Sequence, residues 1–581
     1  MKKMLFTLIF VFCLSATLQI GVSVAFSAGP VLFFSDLTWG PKTGWEGSTT
    51  RGAAVTVWGK NFGSTRGSSC ITVNGAQIAE YAEWGAIGPA RALERITFWL
   101  NSSCTDGDGT ITVTVNGVTS NALNFTVVAG TAAKIYFISV SNGSNGNNGL
   151  YSTSQGGSNG PWKDIYMFNP GLDSYSYGHN PSGDGQYIVY ARQGTYTAVD
   201  TDGAFVALRG PYGGPDKRKA LIAYPGEIPT LNTAGASRGI IWNADYSPYG
   251  KNSYFTYSKL NGIYGVAAIG VIGNYNRVIG CTFKEYLDYA QDGVVWVTAS
   301  QYTSLFGNLF DHNGNDSMKH NIYVKTQPGF PGDRNTWYTY IGWNEITNAV
   351  SSDNHGGAIF ISRSSDAGSY TTQYIYIHGN YLHDGNMEFI YTGDNTDIGE
   401  IYIYNNIFRH GTCTNAGIYL AWDTLTVYLF NNLFYQIGDA SAPMVGVVAR
   451  KPTTATFKNN IFYSRPGQEF INVESGGATA NSDHDLFYNP GGTTTPPSGV
   501  AVTSPIVGNP LFRGPTNYNF HLQTNSPAIN VGTAVVSPYV AKDFDGLSRP
   551  QGSLYDIGPY EYASGGDTTP PAAPNNLKIM P

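Results

Sequence analysis

The sequence predicts an all-β protein: a small β-sandwich followed by a long parallel β-helix. Three observations predict it. Charged residues are only 13% of the 581-residue chain, whereas Gly (71) and Tyr (40) are abundant; strands and tight turns have that composition and helices do not. Short alternating apolar runs punctuated by Asn-Gly fill residues 30–128. Beyond them, an Asn followed by an apolar turn recurs at a near-constant step.

Residues 1–25 read as a signal peptide. Lys2 and Lys3 give the charged start, Leu5 to Ala16 the apolar stretch, and Ser23-Val24-Ala25 the small-residue cleavage site. Export is therefore expected, with no later stretch apolar enough to span a bilayer. The net charge of −7 gives no footprint for nucleic acid. Four cysteines follow the leader. Cys70 and Cys104 lie in one small domain and are the pair that export would let bond. Cys281 and Cys413 stand 132 residues apart and read as buried fillers.

In residues 30–128 the runs are Ala54 to Trp58, Cys70 to Val73, Ile96 to Trp99 and Thr110 to Val115, with turns at Asn74-Gly75 and Asn116-Gly117. This is a sandwich pattern. Val55 to Phe62, Val73-Asn74-Gly75 and Asn121 to Val127 resemble the IPT/TIG immunoglobulin-like family, whose members are spacers or binding modules.

From about residue 133 to 563 the period dominates. Asn308, Asn344, Asn380, Asn406, Asn432 and Asn460 each open an apolar turn, and Cys281 takes the same place one coil earlier. The steps are 27, 36, 36, 26, 26 and 28 residues. Each repeat holds one strand before the Asn, a short one after it, and a third after a polar loop, as in Ile322 to Val324 and Ile359 to Ile361. Three strands per coil make a β-helix. Asn tolerates the left-handed bend between strands, so the Asn column is expected to take that bend and to stack as a ladder.

The repeat region resembles the right-handed parallel β-helix (pectate lyase-like) superfamily. Ser526 to Asn530, Asp543 to Gly546 and Asp556 to Glu561 resemble the closing motif of secreted β-helix proteins, which implies a cap over the last coil and offers Asp543 and Asp545 as a lesser calcium site. Residues 564–581 form a Pro-rich tail similar to the opening of a fibronectin type III domain.

Placing Ile322, Ile359, Phe389, Ile418 and Val447 inward turns Tyr323, Phe360, Ile390 and Tyr419 outward as an exposed apolar row, suited to sugar rings. The two long repeats carry their extra residues just after this sheet, at 327–337 and 364–373, as one wall of a groove. Loops 311–320, 348–357 and 383–387 form the other. Titratable groups gather there, and six of the nine histidines lie between residues 312 and 410.

A polyuronate lyase needs a base and a partner for the uronate carboxylate. Lys325 and His320 are the candidate bases, with His355 beside them and Arg363 as the neutralising cation. Asp316, Asp353 and Asp384, from consecutive coils, are candidate Ca²⁺ ligands; no organic cofactor is expected. Tyr323, Phe360, Tyr419, Arg409 and His383 are candidate substrate contacts. The resemblance implies a substrate cleft along this sheet, so the expected protein is a secreted, monomeric polysaccharide lyase. A non-catalytic carbohydrate-binding or matrix protein is the second reading. A glycoside hydrolase using Asp353, Asp384 and Glu388 is the third. The paired-Asp and Gly-His-Gly motifs of polygalacturonases, the Asp-Pro-His motif of alginate epimerases and the pectate lyase arginine motifs are not found.

Overall fold

A computed structural model describes residues 29–563, apart from short internal stretches, among them 169–184, 208–213, 234–240, 243–254, 315–317, 327–334, 353–355 and 394–397. The leader and the tail lie outside the described residues, as do Asp316, Asp353 and His355. No helix among the described residues is long and apolar enough to cross a membrane.

Residues 31–128 form a sandwich of a four-stranded and a six-stranded sheet. Alternation along Arg51–Lys60 and Gly107–Val115 sends Val55, Val57, Ile111 and Val113 into one core. Cys70 and Cys104 are both free thiols, so the expected disulfide is not formed; Cys281 and Cys413 are buried fillers, as expected.

The repeats wind into a parallel β-helix. Its described strands make three parallel sheets of 13, 12 and 10 strands. In one coil, Thr336–Gly342 lies in the first sheet, Glu345–Thr347 in the second and Gly357–Arg363 in the third. Inward columns fill the bore: Leu305, Ile341 and Ile377 from the first sheet, Phe408, Phe434 and Phe462 from the second, Ile322, Ile359 and Ile390 from the third. The phenyl rings stack at 5.4 and 4.8 Å.

The Asn column is a ladder, but its members do not take the left-handed bend. The residue before each one does: Gly307, Trp343, Gly379, Asn405, Asn431 and Asn459 have φ between 52° and 64°. Each ladder Asn is buried and donates Nδ2 to the Oδ1 of the next, at 2.9 to 3.0 Å from Asn308 to Asn460. Its backbone N–H reaches the same oxygen, at 2.9 Å from Asn308 and 3.0 Å from Asn432. The column ends on Asp485, which accepts from Asn460 N and Nδ2 at 2.7 and 2.8 Å and from Ser482 Oγ at 2.6 Å. Burial outweighs these donors and pushes the Asp485 carboxyl up to about 7.

The sandwich is no detached spacer. Its core is continuous with the outward side chains of the first sheet, Phe137, Ile188, Tyr190 and Ile222. The Tyr190 hydroxyl donates to Ala54 O at 2.8 Å and accepts from Ala54 N at 2.9 Å. Arg91 donates to Gly379 O on a solenoid turn and to Phe544 O in the C-terminal segment, and its guanidinium lies 3.4 Å above the Phe544 ring. That segment closes on a fully buried Arg549–Glu561 pair at 2.7 Å. Its carboxylates serve backbone donors and cations. Asp543 accepts from the N–H groups of Asp545, Leu547 and Glu561, and Asp545 is held by Lys60 and His521. Neither is therefore arranged as a calcium ligand.

Candidate functional site

On the third sheet the outward row is Trp296, Tyr323, Phe360, Tyr391 and Tyr419. Ile390 pairs with Ile359 and points into the bore, so Tyr391 takes the place expected for it; Phe389 is one residue out of the assumed register. The row is also covered. Tyr323 and Phe360 are 3% and 5% exposed and stack at 5.2 Å, so at these two positions the expected open aromatic face is a satellite core. Only Tyr391 and Tyr419 are half-buried.

The expected bases both lie against Tyr323. His320 is buried, its ring 4.4 Å from Phe360 and its Nδ1 2.8 Å from Gly357 O. Lys325 lies five residues further along the same strand, with Nζ 5.4 Å from the Tyr323 ring, and the His320 ring lies 5.3 Å from that same ring. Arg363 donates to Tyr370 O at 2.5 Å and to Gly368 O, so it closes its own loop. Glu388 is buried and accepts from Asn415 at 2.9 Å.

The structure gathers a different set at the corner where the second sheet ends. Six consecutive second-sheet strands are each followed by a left-handed residue: Glu285, His312, Asn348, Asp384, His410 and Gln436 have φ from 51° to 59°. The bend turns successive side chains outward in one column. Behind it sit Glu345, His383 and Arg409, the start or end residues of their strands.

His383 is bridged by two carboxylates, with Nε2 3.2 Å from Glu345 Oε1 and Nδ1 2.8 Å from Asp384 Oδ2. Burial opposes its charge, but the two carboxylates win and raise its pKa. Arg409 also pairs with Asp384, and its guanidinium lies 3.7 Å from the centre of the Tyr518 ring. Burial would raise the Asp384 pKa; the hydrogen bond from His383 and the charge of Arg409 lower it instead. Glu345 reaches onward to the sandwich, where its Oε2 accepts from Arg91 N at 2.6 Å.

In front of this network is an open cavity of about 380 Å³ lined by His312, Asn348, Asp384, Asn386, His410 and Thr412. His410 faces it with Nδ1 3.8 Å from Asp384 Oδ1 and 3.4 Å from Arg409 Nη1. Burial and then the Arg409 charge lower its pKa, so His410 is neutral at pH 7.

The clustered histidines therefore serve different ends. His320 and His378 are packed in the fold, His383 is locked in the network, and His312 and His410 line the cavity. Of the expected calcium ligands only Asp384 is described, and it does not fit. It already pairs with Arg409 and with His383 Nδ1. Among the described residues no group of three or more His, Cys, Asp or Glu is set to hold a metal.

No family model matches the chain, and a search of curated proteins finds no match either. Solved structures do match. One is ORF18 of Geobacillus virus E2, 11% identical over 69% of this chain and 66% of that one, with a TM-score of 0.31. A PL6 family polysaccharide lyase from Pseudopedobacter saltans is 12% identical over 58% of this chain and 92% of that one, with a TM-score of 0.26. A family 28 exopolygalacturonase from Yersinia enterocolitica is 11% identical over 83% and 97%, with a TM-score of 0.31. At these values the solenoid rests on its own strand pairing.

The corner was partly legible in the sequence. The sequence marks His383, Asp384 and Arg409 as candidate substrate and metal contacts. Asp485 was missed as a ladder member, although it stands 25 residues after Asn460 and precedes Leu-Phe as the Asn residues precede theirs.

Proposed function

We propose that this is a secreted carbohydrate-active β-helix protein that cleaves an acidic polysaccharide by β-elimination at the corner cavity. The observation that carries it is His410: a neutral imidazole at an open cavity, with Asp384 Oδ1 3.8 Å and Arg409 Nη1 3.4 Å from its Nδ1. In the proposed step His410 takes the proton α to the uronate carboxylate. The carbon–oxygen bond to the departing sugar breaks, the electron pair forms the new C=C bond, and His410 returns the proton to the departing oxygen. Asp384 stands beside the ring, and His383 with Arg409 hold Asp384 ionised. The sandwich, read as IPT/TIG-like, is a fixed shoulder of the solenoid.

The test is absorbance near 235 nm while the mature chain meets polygalacturonate, alginate and hyaluronan. Growth that His410→Ala abolishes supports the reading; growth unchanged in that variant sinks it. Adding or chelating Ca²⁺ in the same assay tests Asp316 and Asp353 as ligands. The second reading, binding without cleavage, is favoured by the burial of His320, whose Nδ1 is held at Gly357 O. A flat trace with measurable binding would establish it.

A further inference from the structure

A second cavity, of about 710 Å³, lies between the sandwich and the outer side of the first sheet. That is within the range of ligand sites. Asp108 and Asn124 line it from the sandwich, and Arg218, Arg277, Tyr275, Tyr302 and Tyr340 from the solenoid.

Two observations mark this groove. The first is a tyrosine ladder. Tyr275, Tyr302, Tyr338 and Tyr374 recur at the coil step and stack at 4.7, 4.8 and 5.1 Å with planes within 10°. All four have φ between 54° and 59°. A bulky residue is disfavoured in that conformation, and ring stacking along the column offsets this. Tyr275 and Tyr302 are 41% and 38% exposed. Stacked rings show their rims and hydroxyls, so the column offers hydrogen bonds.

The second is charge. Arg277 donates to Ser35 O at 2.6 Å, and its buried Nε has no hydrogen-bond partner. With Arg218 it gives the groove two guanidiniums against the single carboxylate of Asp108, which accepts from Thr126 at 2.7 Å. A guanidinium fork fits carboxylate oxygens.

We infer that this groove is an ancillary site that holds a uronate-containing glycan strand, with the two arginines on its carboxylates and the tyrosine hydroxyls on its ring hydroxyls. It rests on the acidic-polysaccharide reading above and adds a second point of contact made jointly by sandwich and solenoid.

The experiment is calorimetric titration of the full chain with trigalacturonate, with maltotriose as the neutral control. Trigalacturonate should bind and maltotriose should not. Tyr302→Ala and Arg218→Ala should each weaken binding at least fivefold with unchanged melting temperature, and Arg277→Gln more. Since Arg277→Gln risks the fold, the first two variants decide. Affinity unchanged in both, equal affinity for maltotriose, or no binding of trigalacturonate overturns the groove. Absorbance growth at 235 nm is read separately. Growth with no groove effect overturns the groove alone; a groove effect with no growth on any polyuronate overturns the corner reading alone.

Discussion

His410 is partly buried and follows Arg409 directly in the chain. Burial first and the neighbouring guanidinium second lower its pKa, so the base form persists below the ordinary histidine range. For a base with a lowered pKa, the acid limb of kcat/KM should fall below pH 6.5, and a pH–rate profile checks it. His410→Ala should lower kcat/KM by about 10²–10⁴-fold. Asp485 shows the opposite sign. Its carboxyl is raised to about 7 in the fold. The folded state therefore binds the proton more tightly than the unfolded chain. That stability is fully present below the unfolded pKa near 3.8 and is lost as pH rises towards 7. Asp485→Asn would continue the ladder with a neutral amide. It should remove this pH dependence and stabilise the protein at pH 8 by about 2–4 kcal/mol; denaturant melts at pH 5 and pH 8 measure it.

Strand existence and period were legible because inward apolar residues and the Asn column repeat in register. The left-handed position was not, because Asn is competent both for the bend and for the ladder. The preceding residue decides. In Asn405-Asn406, Asn431-Asn432 and Asn459-Asn460 the first bends and the second bonds. The third-sheet register slipped at Phe389, since Phe389 and Ile390 are both apolar and alternation cannot tell them apart. The exposure of that row is not legible for a related reason: outward direction does not reveal what covers a ring, and Tyr323 is covered. The ladder's share in stability is open to measurement. The Asn406 side chain accepts from Asn380 N and Nδ2 and donates to Ile377 O and Asn432 Oδ1. Asn406→Ala should cost about 2–4 kcal/mol, since it strands buried partners on both adjoining coils.

Across the whole molecule, the sandwich, the solenoid and the C-terminal segment meet around Arg91, Glu345 and Phe544. Removing residues 29–128 would bare Phe137, Ile188, Tyr190 and Ile222. The truncated chain should bind a hydrophobic dye strongly and precipitate during purification, and dye fluorescence with soluble yield checks this. The Asn ladder has a consequence of another kind. Every interior coil presents one acceptor backwards and one donor forwards, so a copied coil spliced into the column would leave no polar group stranded. Chain length can then drift through duplication while the solenoid stays sound. The carboxylate that ends the column at Asp485 cannot be copied inwards, because it has no amide to hand on.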